Sequence, residues 1–235
     1  MKKRFSFILF LLAFVTSYAQ KGNLYFFTII QEDEGIGSEQ DGGNMNNLVK
    51  EIAGSIHYQL TAISIPSTEF TRIRLMQEIR KYTYNSKDVI WVYYSGHGRN
   101  YDTWPETDES ELPISAVDSL LKHQNAHLTL AMYDCCTSEM PQILAKNKEY
   151  TTCSFNFYGE LFVKTAANIK IASASSQQYA YGSHLSGGNF TNCFIDALRM
   201  GAVWENILSN AKMTTNNMAK EQKHIQNPQY NIVSK

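Results

Sequence analysis

A histidine and a pair of cysteines stand at the ends of two apolar runs, and together they could carry out acyl transfer. His97 lies in Tyr94-Ser95-Gly96-His97-Gly98, at the close of a run that begins Asp88-Val89-Ile90-Trp91-Val92-Tyr93. Cys135 and Cys136 close a second run, Leu128-Thr129-Leu130-Ala131-Met132-Tyr133-Asp134. The thiolate is the nucleophile, yet a thiol of pKa about 8.5 is mostly protonated at neutral pH. A neighbouring imidazole lowers that pKa or takes the proton, so Cys/His pairs recur where carbonyls are attacked. The oxyanion that forms needs backbone N–H donors. Gly96 and Gly98 let the backbone come close to a substrate. The N–H groups of Gly98 and of the nucleophile itself are natural donors. This reasoning leaves open which of the two cysteines attacks.

Such chemistry requires the two runs to be neighbours. Short apolar runs rich in β-branched and aromatic residues suit strands covered on both faces. In open α/β sheets, ligands bind beyond the carboxyl ends of the strands. Leu24 to Ile30 reads as a first strand, followed by a polar, Gly-rich loop over 31–43. A helix is expected from near Asn44, with Leu48, Ile52, Ile56 and Leu60 on one face. Thr61 to Ile65 reads as a strand stopped by Pro66. Ser67 or Thr68 then caps a helix whose apolar positions are Phe70, Ile73, Leu75, Met76 and Ile79. A polar loop over 99–111 leads to a helix over 115–124. After the cysteines come a helix over 139–148 and an irregular stretch over 150–160. A fifth strand spans Ile169 to Ala174, and a final helical region begins at Phe190. Strands alternating with helices predict an α/β fold with a mostly parallel central sheet flanked by helices on both faces.

The 235 residues, 43% apolar and 18% charged, suit one globular domain. Residues 1–19 have the three parts of a secretory signal peptide. Lys2, Lys3 and Arg4 precede an apolar stretch from Phe5 to Val15, and Ser17-Tyr18-Ala19 supplies small residues for cleavage. The uncharged stretch from Phe5 to Gln20 is shorter than the ~20 apolar residues a membrane span needs. An exported chain over 20–235 is expected, with no stable membrane insertion once the signal is removed. Removal takes three of the 21 basic residues, so that 18 face 22 acidic ones, a net charge of −4. No basic stripe points to nucleic acid. Four cysteines are too few for a disulfide scaffold. A Cys153–Cys193 bridge and two buried free thiols are both compatible with the spacing. His123 and His127 lack the zincin glutamate, so no metal site is expected there.

The two motifs resemble those of the caspase/metacaspase-like cysteine peptidases. Tyr94-Ser95-Gly96-His97-Gly98 is similar to the family's Ser-Gly-His-Gly motif, and Asp134-Cys135-Cys136-Thr137-Ser138 to the metacaspase Asp-x-Cys-x-Ser-Gly motif. The resemblance continues through Ser173 to Tyr181, through Phe190 to Leu198, and in Gln226-Asn227-Pro228-Gln229. It implies a caspase-like α/β/α sandwich and a cysteine endopeptidase acting on peptide or protein substrates. Cys136 becomes the nucleophile and His97 its proton-transfer partner, with Gly98 and Cys136 holding the oxyanion. Asp134 would line the pocket of a basic P1 side chain, and Ser173 and Ser175 would fall in a substrate-binding segment. Glu139 stands where the family usually has glycine. Ser176-Gln177-Gln178 replaces acidic pocket residues, so a basic P1 preference rests mainly on Asp134. The other class compatible with these departures is a non-catalytic binding module. No cofactor is implied. Calcium activation, known in the family, would fall to the acidic loop of Asp102, Glu106, Asp108, Glu109 and Glu111, which otherwise reads as a solvated loop. Lys146, Lys148 and Lys164 are candidate self-cleavage points.

Overall fold

The computed structural model describes residues 22–32, 37–98, 103–105, 111–136, 155–175, 178–201 and 203–235, and for residues 103–105, 111, 113, 136, 155 and 156 the backbone only. The chain begins with β1 (Asn23–Ile30), α1 (Ser38–Ile56), β2 (Gln59–Pro66), α2 (Arg72–Arg80) and β3 (Val89–His97). It continues with β4 (Thr103–Pro105), β5 (Glu111–Pro113), α3 (Ile114–Lys122), β6 (Leu128–Cys136), α4 (Phe155–Gly159) and β7 (Ala167–Ala172). The hairpin β8 (Gly182–Ser183) and β9 (Gly187–Gly188) precedes α5 (Asn189–Met200), α6 (Trp204–Glu221) and β10 (Gln229–Ser234). Six strands form one sheet in the order β10-β7-β6-β3-β1-β2. All its pairings are parallel except that of β10 with β7. This is the expected mostly parallel sheet.

Period-two alternation along β3 explains why both faces need cover. Val89, Trp91 and Tyr93 enter a core with Met45, Leu48 and Ile52 of α1 and Phe194, Leu198 and Ile207 of α5 and α6. Ile90, Val92 and Tyr94 enter a second core with Leu75 and Ile79 of α2 and Val117 and Leu121 of α3. β3 and β6 lie at the centre of the sheet, so their ends are held by neighbours on each side. At the opposite end of the sheet, buried Asp88 accepts hydrogen bonds from the Asn23 N–H (2.8 Å), Asn23 Nδ2 (2.9 Å) and the Asn85 N–H (2.8 Å). It ties the starts of β1 and β3 together.

Several expectations are corrected. The first helix begins at Ser38 rather than near Asn44, and Leu60 belongs to β2. Thr71, not Ser67 or Thr68, caps α2, its side chain accepting the Arg74 N–H (3.0 Å). Ser67–Glu69 form a short 3₁₀ turn before it. Ile73 is 66% exposed, because the buried stripe of α2 runs through Leu75 and Ile79. The loop over 99–111 contributes β4 and the start of β5, and the end of the irregular stretch over 150–160 is α4. A π-helical turn, Glu160–Lys164, follows it. The expected helix over 139–148, the signal peptide and Cys153 lie outside the described residues.

Candidate active site

Register brings the two motifs together. β3 and β6 are adjacent and parallel, with Ser95 opposite Asp134, Gly96 opposite Cys135 and His97 opposite Cys136. Neighbouring strands run about 4.8 Å apart, so the backbones of His97 and Cys136 face one another at that spacing. His97 and Gly98 are half-buried at the carboxyl edge of the sheet. Cys135 is half-buried against the core on the α2/α3 side.

Beneath this edge lie two buried carboxylates. Asp41 sits in the first turn of α1 and is 1% exposed; Asp134, on β6, is 5% exposed. Ser95 Oγ donates to Asp41 Oδ2 (2.7 Å), and the Gly188 N–H donates to Asp41 Oδ1 (2.7 Å). Thr191 donates to Asp134 Oδ2 through its N–H (3.0 Å) and its hydroxyl (2.7 Å). That hydroxyl proton is thereby committed, so the Tyr93 hydroxyl donates to Thr191 Oγ1 (2.8 Å). Each acid thus stands at the first turn of a helix, α1 or α5, where the helix dipole favours negative charge. The two carboxylates flank the same glycine. A β-carbon built on Gly188 would lie 2.2 Å from Asp134 Oδ2 and 3.0 Å from Asp41 Oδ2.

Burial and proximity set their ionisation. Burial, and then the charge of Asp134, push the Asp41 carboxyl well above its ordinary value, and the bonds from Ser95 and Gly188 offset this only in part. Burial likewise raises Asp134 against the bonds from Thr191 and Ser173. Two like charges at this separation cannot both ionise cheaply. Among the described residues no lysine or arginine offsets them. The arrangement suits an incoming cation.

The structure also locates the other expected residues. Ser173, just past β7, is buried and accepts the Cys135 N–H on its hydroxyl (3.2 Å). Ser175 donates to the Asn227 carbonyl (2.9 Å) and accepts from Gln229 Nε2 (2.7 Å). Its hydroxyl is therefore engaged with Asn227 and with Gln229, the first residue of β10. Gln226 is buried and bridges the same regions, donating to Ser173 O (3.0 Å) and accepting the Tyr181 N–H (3.1 Å). Of the acidic loop, residues 102 and 106–110 lie outside the described residues, as do Lys146 and Lys148, whereas Lys164 is exposed and ion-paired with Glu160. Among the described residues no group of three or more acidic, histidine or cysteine side chains could hold a metal. Among them no helix is long and apolar enough to cross a membrane. Sequence reasoning missed Asp41, and gave Thr191 no role beyond the resemblance of its segment. Asp41, the fourth residue of α1, falls within the 31–43 stretch read as loop, and an acid there carries no signal until the helix start is known.

Comparisons with known proteins bear on the fold and the family. No curated protein matches the chain by sequence. Among solved structures, caspase-1 from Spodoptera frugiperda is similar at 12% identity and a TM-score of 0.57, covering 91% of this chain and 86% of that one. The Drosophila initiator caspase Dronc is similar at 13% identity and a TM-score of 0.56, covering 89% and 78%. A protein of Geobacter sulfurreducens is similar at 15% identity and a TM-score of 0.52, covering 92% and 94%. At such identities the likeness is one of fold. The sequence model of the caspase domain family matches residues 26–234, from the middle of β1 to the end of β10. The chain belongs to the caspase domain family.

Proposed function

We propose that the chain is an exported cysteine endopeptidase in which Cys136 and His97 form the catalytic dyad. The observation that carries this reading is the register pairing of His97 with Cys136 at the carboxyl edge of the sheet. Cys135 is spoken for by core packing, which leaves its neighbour as the nucleophile. The Cys136 thiol gives its proton to His97, and the thiolate attacks the scissile carbonyl. The N–H groups of Gly98 and Cys136 hold the oxyanion. His97 then returns the proton to the leaving amine as the C–N bond breaks. Water, deprotonated by the same imidazole, hydrolyses the resulting thioester.

The Asp41–Asp134 pair supports a preference for arginine or lysine at P1. A guanidinium or ammonium beside the pair would let both acids ionise, converting a repulsion into a double charge-assisted contact. Ser95 and Thr191 would hold the carboxylates in place, and Ser173 would support the strand end. Fluorogenic peptides with Arg, Lys, Asp or an uncharged residue at P1, assayed with and without Ca²⁺, test the proposal. Cleavage after Arg and Lys is expected. Cleavage after Asp alone removes the specificity claim, and no cleavage in any arm favours a binding module.

A further inference from the structure

The parallel ladder between β1 and β3 ends on an irregular rung, and that rung holds His97. Ladder bonds run as far as the Gln31 N–H, which donates to Ser95 O (2.9 Å). In a regular parallel ladder the His97 N–H would next donate to the Gln31 carbonyl. Here it donates instead to the Gln31 side chain, at Oε1 (2.8 Å). The Gln31 carbonyl is taken by the hydroxyl of Ser38, the first residue of α1. The second backbone group of His97 is also held by a side chain, since the Tyr94 hydroxyl donates to His97 O (2.6 Å) and stands 3.3 Å from Gln31 Oε1. Gly96 makes room for this arrangement. A β-carbon there would lie 2.6 Å from Gln31 Cβ and 2.8 Å from both Gln31 Oε1 and the Tyr94 hydroxyl oxygen.

We infer that Gln31 is a positioning residue for His97: its side-chain carbonyl accepts the His97 N–H while the Tyr94 hydroxyl holds the His97 carbonyl, and together they fix the histidine backbone opposite Cys136 and so the direction of the imidazole. This rests on the proposed peptidase function. The sheet alone sets His97 to within a strand width, whereas proton transfer needs hydrogen-bond geometry. Misplacement of about 1 Å costs on the order of 100-fold in rate.

Three variants test the inference. Gln31→Leu keeps the volume and removes the acceptor, Gln31→Glu keeps an acceptor, and Tyr94→Phe removes only the bond to the His97 carbonyl. Gln31→Leu is expected to lower kcat by roughly 10- to 100-fold with KM nearly unchanged. Tyr94→Phe is expected to do the same more weakly. Gln31→Glu should restore most of the rate. It should also move the acid limb of the pH–rate profile upward, because a carboxylate near His97 favours the imidazolium. Wild-type kcat in Gln31→Leu, or an equal loss in Gln31→Leu and Gln31→Glu, would overturn the inference. NMR titration of the His97 ring in the same variants separates it from the function it rests on. If the wild type cleaves no peptide, the peptidase reading fails. The positioning role then stands if Gln31→Leu alters the His97 ring resonances, and falls if they are unchanged.

Discussion

Replacing Asp41 by asparagine sets specificity against stability. Asparagine keeps the shape of the side chain, and its Oδ1 still accepts the Gly188 N–H. Its Nδ2 can donate to Ser95 Oγ, whose proton is then free to turn elsewhere. What disappears is one of two buried charges that would meet a P1 cation. A hydrogen bond to a charged group contributes about 1.5–3 kcal/mol. This predicts a loss of roughly 10- to 150-fold in kcat/KM on Arg and Lys peptides, with little change on peptides uncharged at P1. Stability should move the other way. Both acids titrate above their ordinary values in the folded chain, so the folded state holds more protons than the unfolded chain across that window. Stability present below about pH 4 is therefore lost as the pH climbs through the raised values. Asparagine does not titrate, and it relieves Asp134 of a neighbouring charge. Asp41→Asn should thus unfold at higher urea than the wild type at pH 7, with a flatter dependence on pH. An equal loss on charged and uncharged peptides, or a lower urea midpoint at pH 7, would refute the reasoning.

Two further substitutions probe the scaffold. Asp88→Ala leaves three donors of Asn23 and Asn85 without their acceptor in a buried setting, and should cost about 3–5 kcal/mol in urea unfolding. A loss below about 1 kcal/mol would contradict that role, and the P1 preference should not change, because Asp88 lies at the far end of the sheet. Gly188→Ala drives a methyl group against both carboxylates. It should cost about 1–3 kcal/mol and weaken the preference for basic P1 residues; an unaltered P1 preference would separate Gly188 from the pocket.

The parts of this molecule legible in the sequence are those whose burial is two-sided. β3 and β6 are apolar at successive positions because each faces a core on both sides, and their endings at Ser95 and Asp134 mark the site. Features resting on tertiary contact were not legible. The first turn of α1 buries Ser38, Asp41 and Gly42 rather than apolar residues, so its composition reads as loop. Gly42 is there because Ile30 packs so closely that a β-carbon would lie 2.9 Å from its Cγ1. β10 carries no alternation, since all of its residues but Ile232 are exposed; antiparallel pairing with β7 makes it a strand. The helical region read as beginning at Phe190 consists of α5 and α6, which divide at Gly201, where Ile207 packs against the backbone and a side chain would not fit. The acid pair could not be assembled from sequence because Asp41 and Asp134 meet only after α1 and β6 are placed.

The central claim is that the thiol opposite His97 is the nucleophile. A peptide with arginine at P1 and a thiol-reactive electrophile in place of the scissile bond tests it, with mass spectrometry locating the adduct. The adduct should fall on Cys136, persist in Cys135→Ala, vanish in Cys136→Ala and form far more slowly in His97→Ala. An adduct on Cys135, or labelling that survives Cys136→Ala, would contradict the account.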